Sequence, residues 1–351
     1  MDEFHRYLVS VVVIGRNEGE RLKRCLASIR AMRLPEGAVD LIYVDSGSSD
    51  QSPRAAAAAG ARVILLQGGR FTAARGREAG WRVASAPFVF FVDGDTVVDP
   101  NFVAGALLEF QNPRVGVVFG CTREFDPNAS VFSRAFDLQW QRFSPGPAEN
   151  FMGSSLIRRS ALEAVNGFDA FLMGGEEADL CGRLRRLDFV ILCLDVPMLA
   201  HDLAMTSWSR YWWRMVRNGY ACAEVADRFA PRETPDLRSR TRHTSVWGTL
   251  LLSSPVAAAA CSLAFASWFP LGILLAFWAV AVLRAARKAR RIAADRLNFL
   301  VFGVHVYLKE VPRLVGQLRY YCDKHKGRRT LIDYKTCSRA VYRVNAGASQ
   351  P

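Results

Sequence analysis

Between Val9 and Leu194 the chain repeats one pattern. A short apolar run rich in β-branched and aromatic residues is followed by a stretch whose apolar positions recur every three or four residues. The first kind of run reads as a buried strand and the second as an amphipathic helix. Val9–Ile14 is thus a strand, and Glu18–Met32 a helix with Leu22, Cys25, Leu26 and Ile29 on one face. A strand at Leu41–Val44, a helix across Gln51–Ala59 and a strand at Val63–Leu66 follow. Next come a helix over Phe71–Ala84 and the strand Pro87–Val92, and later a helix at Ala178–Arg186 and a strand at Val190–Leu194. Strands alternating with helices predict an α/β domain.

From Thr244 to Leu283 the alternation stops, and no residue is charged. As one straight helix this run would span about 60 Å, twice the ~30 Å hydrocarbon thickness of a bilayer. Ser267-Trp268-Phe269-Pro270-Leu271-Gly272 breaks it near the middle, which predicts two helices near 246–265 and 269–283. Arg238, Arg240 and Arg242 precede the run, and Arg284, Arg287, Lys288, Arg290 and Arg291 follow it. Basic flanks favour the cytoplasmic side, and two on one side require an even number of crossings. A transmembrane hairpin satisfies this; a buried helical hairpin in a soluble core is the competing reading. Beyond it, residues 298–321 mix apolar and aromatic positions with Lys309, Arg313 and Arg319, as in an amphipathic helix or pair lying at the interface and broken near Pro312. Residues 345–351 read as a disordered end.

Charge changes the picture only once it is located. The net charge is +13 over 351 residues, but residues 284–351 hold 16 Lys/Arg against 4 Asp/Glu, which leaves +1 for residues 1–283. A basic tail behind a hydrophobic hairpin points to an anionic membrane surface and away from nucleic acid. With half of its residues apolar, the chain is neither disordered nor collagen-like. Its eight cysteines have no C-x-x-C pair and read as free thiols of a reducing compartment. The N-terminus lacks the basic start and cleavage site of a signal peptide, so the N-terminal region is expected in the cytoplasm.

Two strands finish in acidic clusters, Asp45-Ser46-Gly47-Ser48-Ser49-Asp50 and Asp93-Gly94-Asp95. In open α/β sheets ligands sit beyond the carboxyl ends of the strands, so both clusters should line one crevice. Two carboxylates one residue apart repel each other unless donors or a cation relieve them, and they suit a hard divalent cation.

Val11-Val12-Val13-Ile14-Gly15-Arg16-Asn17-Glu18, Val44-Asp45-Ser46-Gly47-Ser48-Ser49-Asp50 and Phe91-Val92-Asp93-Gly94-Asp95, in that order and spacing, resemble glycosyltransferase family 2. The likeness continues through Gly167-Phe168-Asp169, Gly175-Glu176-Glu177-Ala178-Asp179-Leu180 and His201, and covers roughly residues 8–225. It implies a GT-A fold, a mixed nucleotide-sugar-binding sheet flanked by helices, and an inverting transferase. Residues 1–235 would form this catalytic domain, 244–283 the hairpin and 284–344 the basic tail with its interfacial helices. The resemblance further implies that Asn17 and Glu18 shape the nucleotide pocket, Asp45 holds the base (with a lean toward uracil), and Asp93 faces the donor's ribose and sugar. Asp95 would ligate Mg²⁺ or Mn²⁺ on the diphosphate, with His201 completing the shell. Arg77 matches the Arg of an A-R-N-x-G segment near the diphosphate, whose Asn is here Glu78. The base that deprotonates the acceptor comes from Glu176-Glu177, with Glu177 favoured by position and Glu176 the alternative. Asp179 fits the start of the helix.

Trp212, Trp213 and Arg214 follow the site on a helical stretch, where aromatics can stack on sugars or line a membrane interface and Arg can hold phosphate. They and Asp179 are candidate acceptor contacts. The resulting expectation is a multi-pass inner-membrane enzyme with its catalytic domain on the cytoplasmic side. It would move a sugar from a nucleotide-sugar donor to a lipid-linked glycan or similar membrane acceptor. A polyprenyl-phosphate sugar synthase and a non-catalytic membrane assembly partner are the alternatives.

Overall fold

The computed structural model describes residues 7–35, 38–141, 144–229, 235–289, 296–333 and 335–343. They fall into two compact units, one of residues 1–126 and 143–203, the other of residues 127–142 and 204–351.

The first unit is an α/β sheet with helices packed on it. In chain order it holds β1 (Val9–Gly15), α1 (Glu20–Arg30), β2 (Val39–Asp45), α2 (Ser52–Ala58), β3 (Arg62–Leu65), α3 (Ala73–Val83), β4 (Phe88–Asp93), β5 (Thr96–Val98), α4 (Phe102–Glu109) and β6 (Val115–Glu124). After α5 (Val131–Trp140), which belongs to the other unit, come β7 (Gly146–Pro147), β8 (Ser155–Arg158), α6 (Arg159–Ala164), α7 (Glu176–Arg186) and β9 (Val190–His201). The sheet runs β3-β2-β1-β4-β8-β6-β9-β5, with β7 on β9. β1 pairs in parallel with both β2 and β4, while β8 is antiparallel to β4 and β6. The sheet is therefore mixed, and the strand order reverses beside β1. That reversal opens a crevice at the carboxyl ends of β1 and β4, where open α/β sheets take their ligands. The strands are continuous apolar runs because both sheet faces are covered: Val11, Val12, Val13, Phe90 and Phe91 have no exposed surface. Gly80 lets α3 press on β1, since a Cβ there would collide with Val12 and touch Val44.

The second unit joins α5 to α8 (Trp208–Arg228), α9 (Pro235–Ala264), α10 (Phe269–Ala289), α11 (Arg296–Leu308), α12 (Glu310–His325) and a ribbon of β10 (Arg328–Asp333) and β11 (Ser338–Arg343). Helices α9 and α10 are long and apolar enough to cross a membrane, over Leu237–Ala264 and Phe269–Arg287. Among the described residues, 6% and 17% of their most apolar windows are buried.

Several boundaries differ from the sequence expectation. α9 begins well before 246, so Arg238, Arg240 and Arg242 lie inside the helix instead of ahead of it. The tail helices break at Lys309, and Pro312 sits in the first turn of α12, where a missing N–H costs nothing. The tail also ends in an antiparallel ribbon that its weak alternation did not announce. β9 runs on to His201, because its outer half continues along β6 and pairs with β5. α8 groups with the C-terminal helices and not with the sheet. Arg290, Arg291 and residues 345–351 lie outside the described residues.

Candidate active site

The crevice residues come from six elements of the first unit, β1, β2, α3, β4, α7 and β9. β1 delivers Asn17 and Glu18. Asn17 holds a left-handed φ of 54°, takes a hydrogen bond from the Ser49 N–H at 2.7 Å and donates its own N–H to the Ser48 hydroxyl at 2.9 Å. Glu18 is buried and pairs with Arg21 at 2.6 Å. At the end of β2, Asp45 is 2% exposed and accepts from Gly47 N–H, Ser48 N–H and the Ser48 and Tyr43 hydroxyls. It thereby shapes the turn 45–48. Gly47 needs to be glycine: its φ is +77°, and the Phe71 ring lies where a Cβ would stand.

At the end of β4 the D-x-D pair divides its duties. Asp95 is 7% exposed and lies 3.1 Å from His201 Nε2. Asp93 remains partly exposed and accepts from Arg77 at 2.9 Å. One ligand atom from each of Asp93, Asp95 and His201 falls within 4.8 Å of the others. Two carboxylates and an imidazole are the donor set of a hard to borderline divalent cation such as Mg²⁺ or Mn²⁺. His201 reaches Asp95 because β5 pairs antiparallel with the end of β9, Thr96 opposite His201.

α7 opens with Gly175 at φ +78°, and its first turn carries Glu176, Glu177 and Asp179. The three do different things. Glu176 is 3% exposed and takes the Arg77 guanidinium at 2.5 Å. Asp179 binds Arg183 one turn on, at 2.9 and 2.7 Å, and Arg183 donates to the Val165 and Gly167 carbonyls. Glu177 is the least engaged: it accepts from the Gly153 N–H at 3.2 Å and stands 3.5 Å from Arg77. Burial, then the adjacent Glu176 charge, push its carboxyl up to about 7, against the opposing pull of Arg77. Arg77, 2% exposed, is shared among Asp93, Glu176 and Glu177, and these carboxylates hold its guanidinium charged despite burial.

One participant carried no signal in the sequence, and one departure from the family pattern is accounted for by the structure. Gly153, at φ +73°, supplies the N–H to Glu177, and its own Cβ position lies 3.4 Å from an Asp93 oxygen; a lone glycine in a loop carries no signal. Glu78, the departure from the A-R-N-x-G pattern, turns away from the crevice. It accepts from Trp81 Nε1, Arg82 Nε and the Phe168 N–H, tying α3 to the loop before α7. Trp212, Trp213 and Arg214 belong to α8 in the second unit, all half-buried, with Arg214 over the Phe136 ring.

Residues 10–165 match the model described as glycosyl transferase family 2, and residues 88–287 that of glycosyl transferase family group 2. A pre-mycofactocin glycosyltransferase of Mycobacterium tuberculosis, known from two strains, is 27% identical over 207 residues, 55% of this chain and 42% of that protein. The chain thus spans less than half the length of the curated relatives it matches. The mannosyltransferase PcManGT of Pyrobaculum calidifontis, solved with GDP-Man and Mn²⁺, superposes with a TM-score of 0.63 at 18% identity, over 90% of this chain and 88% of that one. The likeness extends to the fold, the GT-A type.

Proposed function

The chain belongs to glycosyl transferase family 2, and on that premise we propose that it transfers a sugar with inversion from a UDP-sugar to a lipid-linked glycan or similar membrane acceptor in cell-envelope polysaccharide synthesis. The observation that carries this reading is the closeness of Asp93, Asp95 and His201 at the strand-order reversal, with Glu177 3.5 Å from the same Arg77 that binds Asp93 at 2.9 Å. The α9–α10 hairpin crosses the cytoplasmic membrane with both ends inside, and the sheet unit works on the cytoplasmic face. The basic tail meets the anionic leaflet.

Asp45, Asn17 and Glu18 form the nucleotide end of the crevice, and Asp93 faces the ribose and sugar. Asp95 and His201, with Asp93 beside them, would hold a divalent cation, which when bound would supply charge stabilisation for the departing diphosphate. Glu177 is the base. Burial and the neighbouring Glu176 charge raise its carboxyl, which makes the ionised form more basic toward a hydroxyl proton in the transition state. Glu176 is unsuited to that role because its charge is spent on Arg77. Arg77 instead holds α3, β4 and α7 in register, so that Glu177 and Asp93 keep their separation. Acceptor attack and donor departure form a single displacement, without an enzyme nucleophile. Trp212, Trp213 and Arg214 take the acceptor's lipid-phosphate end, and Asp179 serves through Arg183 as a positioning residue.

The test is calorimetric binding of UDP, GDP, CDP and dTDP to the purified full chain, with and without Mn²⁺, beside Asp95→Asn. Mn²⁺-dependent UDP binding that the variant loses supports the reading. Binding of another nucleotide alone overturns the UDP assignment, and binding of none by folded protein overturns the transferase site. Product analysis on polyprenyl phosphate against a lipid-linked glycan decides the acceptor.

A further inference from the structure

His201 is the last residue of β9, where the ladder ends. Thr96 of β5 and Glu124 of β6 are its register partners, and the Phe125 N–H donates to its carbonyl at 3.0 Å. The following residue carries a second set of ties. The Asp202 N–H donates to the Asp95 carbonyl at 2.7 Å, which joins the chain after one candidate ligand to the backbone of another. The Asp202 carboxylate takes the Arg24 guanidinium at 2.5 Å, and its carbonyl accepts from Arg21 at 3.2 Å. Arg24 also lies over the Phe125 ring, 5.0 Å from its centroid. It thus touches both the residue after His201 and the residue that hydrogen-bonds His201.

Arg21 and Arg24 stand one turn apart on α1. The same helix places the Cys25 thiol 3.7 Å from the Asp93 carbonyl, and its Ser28 hydroxyl takes the Val98 N–H at 2.9 Å. One helix therefore braces the turn 93–95, β5 and the end of β9 together. Neither stability nor ligation accounts for the Arg24–Asp202 pair. Its side chains are 41% and 23% exposed, and an ion pair so open to water adds little to folding. Among the described residues the ligand group of Asp93, Asp95 and His201 closes without Asp202, whose carboxylate is turned to α1. The pair does fix where the end of β9 stands. Ligands bind a metal tightly when neighbours hold them in the coordinating pose beforehand, and loss of such a neighbour typically costs ~10–100-fold in metal affinity.

We infer that Asp202, clamped by Arg24 and Arg21, is a positioning residue for the cation site: it holds His201 against Asp95 and so sets the affinity for a divalent cation. The inference rests on the reading of Asp93, Asp95 and His201 as that site.

The test is Mn²⁺ binding without nucleotide, followed on the purified full chain by loss of the free-ion electron paramagnetic resonance signal. Asp202→Ala, Arg24→Met and His201→Ala are compared with Arg62→Met. Arg62 pairs with Asp40 in an ion pair of similar exposure, at the amino ends of β3 and β2. Asp202→Ala and Arg24→Met are each expected to weaken Mn²⁺ binding about tenfold or more, and Arg62→Met to leave it unchanged. Because Asp202 acts through His201, Asp202→Ala should cost nothing further once His201 is alanine. Unchanged affinity in Asp202→Ala, with binding lost in His201→Ala, overturns this inference and leaves the cation site standing. Losses that add in full in the double variant assign Asp202 to neutralising the Arg24 charge and overturn the positioning role. An equal loss in Arg62→Met marks a general loosening of the sheet and overturns it too. No Mn²⁺ binding by the folded wild-type chain overturns the site and the inference together.

Discussion

Glu177 and Glu310 each open a helix, each lie against a buried arginine, and are driven in opposite directions. Glu177 shares Arg77 with Glu176 and Asp93, so one cation serves three carboxylates, and burial together with its neighbours' charge lifts it to about 7. Around Glu310 the ratio is reversed. Arg313, Thr244 and His243 converge on one carboxylate, Lys309 adds its charge, and Glu310 falls to about 2 although burial alone would raise it. The count of donors around a buried acid, more than its burial, decides whether it can exchange a proton at neutral pH. The sheet unit keeps an acid underserved at the proposed site of chemistry; the helical unit saturates one where helices are joined.

The contrast breaks most sharply at Glu177. Glu177→Gln is expected to lower kcat by about 10²–10⁴-fold, as for loss of a general base, with nucleotide affinity retained. Turnover and calorimetry measured side by side check this, and a near wild-type rate would remove Glu177 from the role. Glu310→Gln leaves Arg313 buried without its charge partner and should cost about 3–5 kcal/mol of stability, read as a lower melting temperature of the full chain in nanodiscs. Turnover at a permissive temperature should barely change, which is the reverse of the Glu177 outcome.

The pH dependence sharpens the same difference. As the proposed base, Glu177 must be ionised, so kcat should fall about tenfold per unit below an apparent pKa near 7, and the acid limb should vanish in the residual activity of Glu177→Gln. For Glu310 the sign is opposite. Its pKa is depressed in the folded state, so its stabilisation is complete above the ordinary glutamate range near 4.5 and is lost as pH falls toward 2. Acid melts compared with those of Glu310→Gln should therefore converge at low pH. The smallest effect belongs to Gly153→Ala, where a side chain at φ +73° should cost about 1 kcal/mol. By shifting the N–H that reaches Glu177, it should also move the acid limb.

Much of this was legible in the sequence. Strands ending in Asp45 and Asp93 announced the crevice, because a strand's apolar run and the turn that ends it are local in the chain. The forty uncharged residues announced the hairpin for the same reason, since length and composition alone set what can span a bilayer. Other features joined distant residues. Arg77 meets Glu176 across 99 positions, and Glu78 meets Phe168 across 90. No local pattern distinguishes the bound Glu176 from the poised Glu177, nor foretells that Asp179 turns to Arg183.

The amphipathicity of α12 was visible in its spacing, but its direction was not. A periodic stripe states that two faces differ; it does not state which face meets protein. That was decided when Thr244, Ser245 and Thr330 were brought against the polar side. The sequence by itself thus determined the α/β alternation, the acidic strand ends and the apolar hairpin, each a property of contiguous residues. Only the tertiary structure decided which acid is left ionisable and which helix face looks outward. Electrostatic environment and burial are sums over neighbours, and those neighbours are supplied by folding.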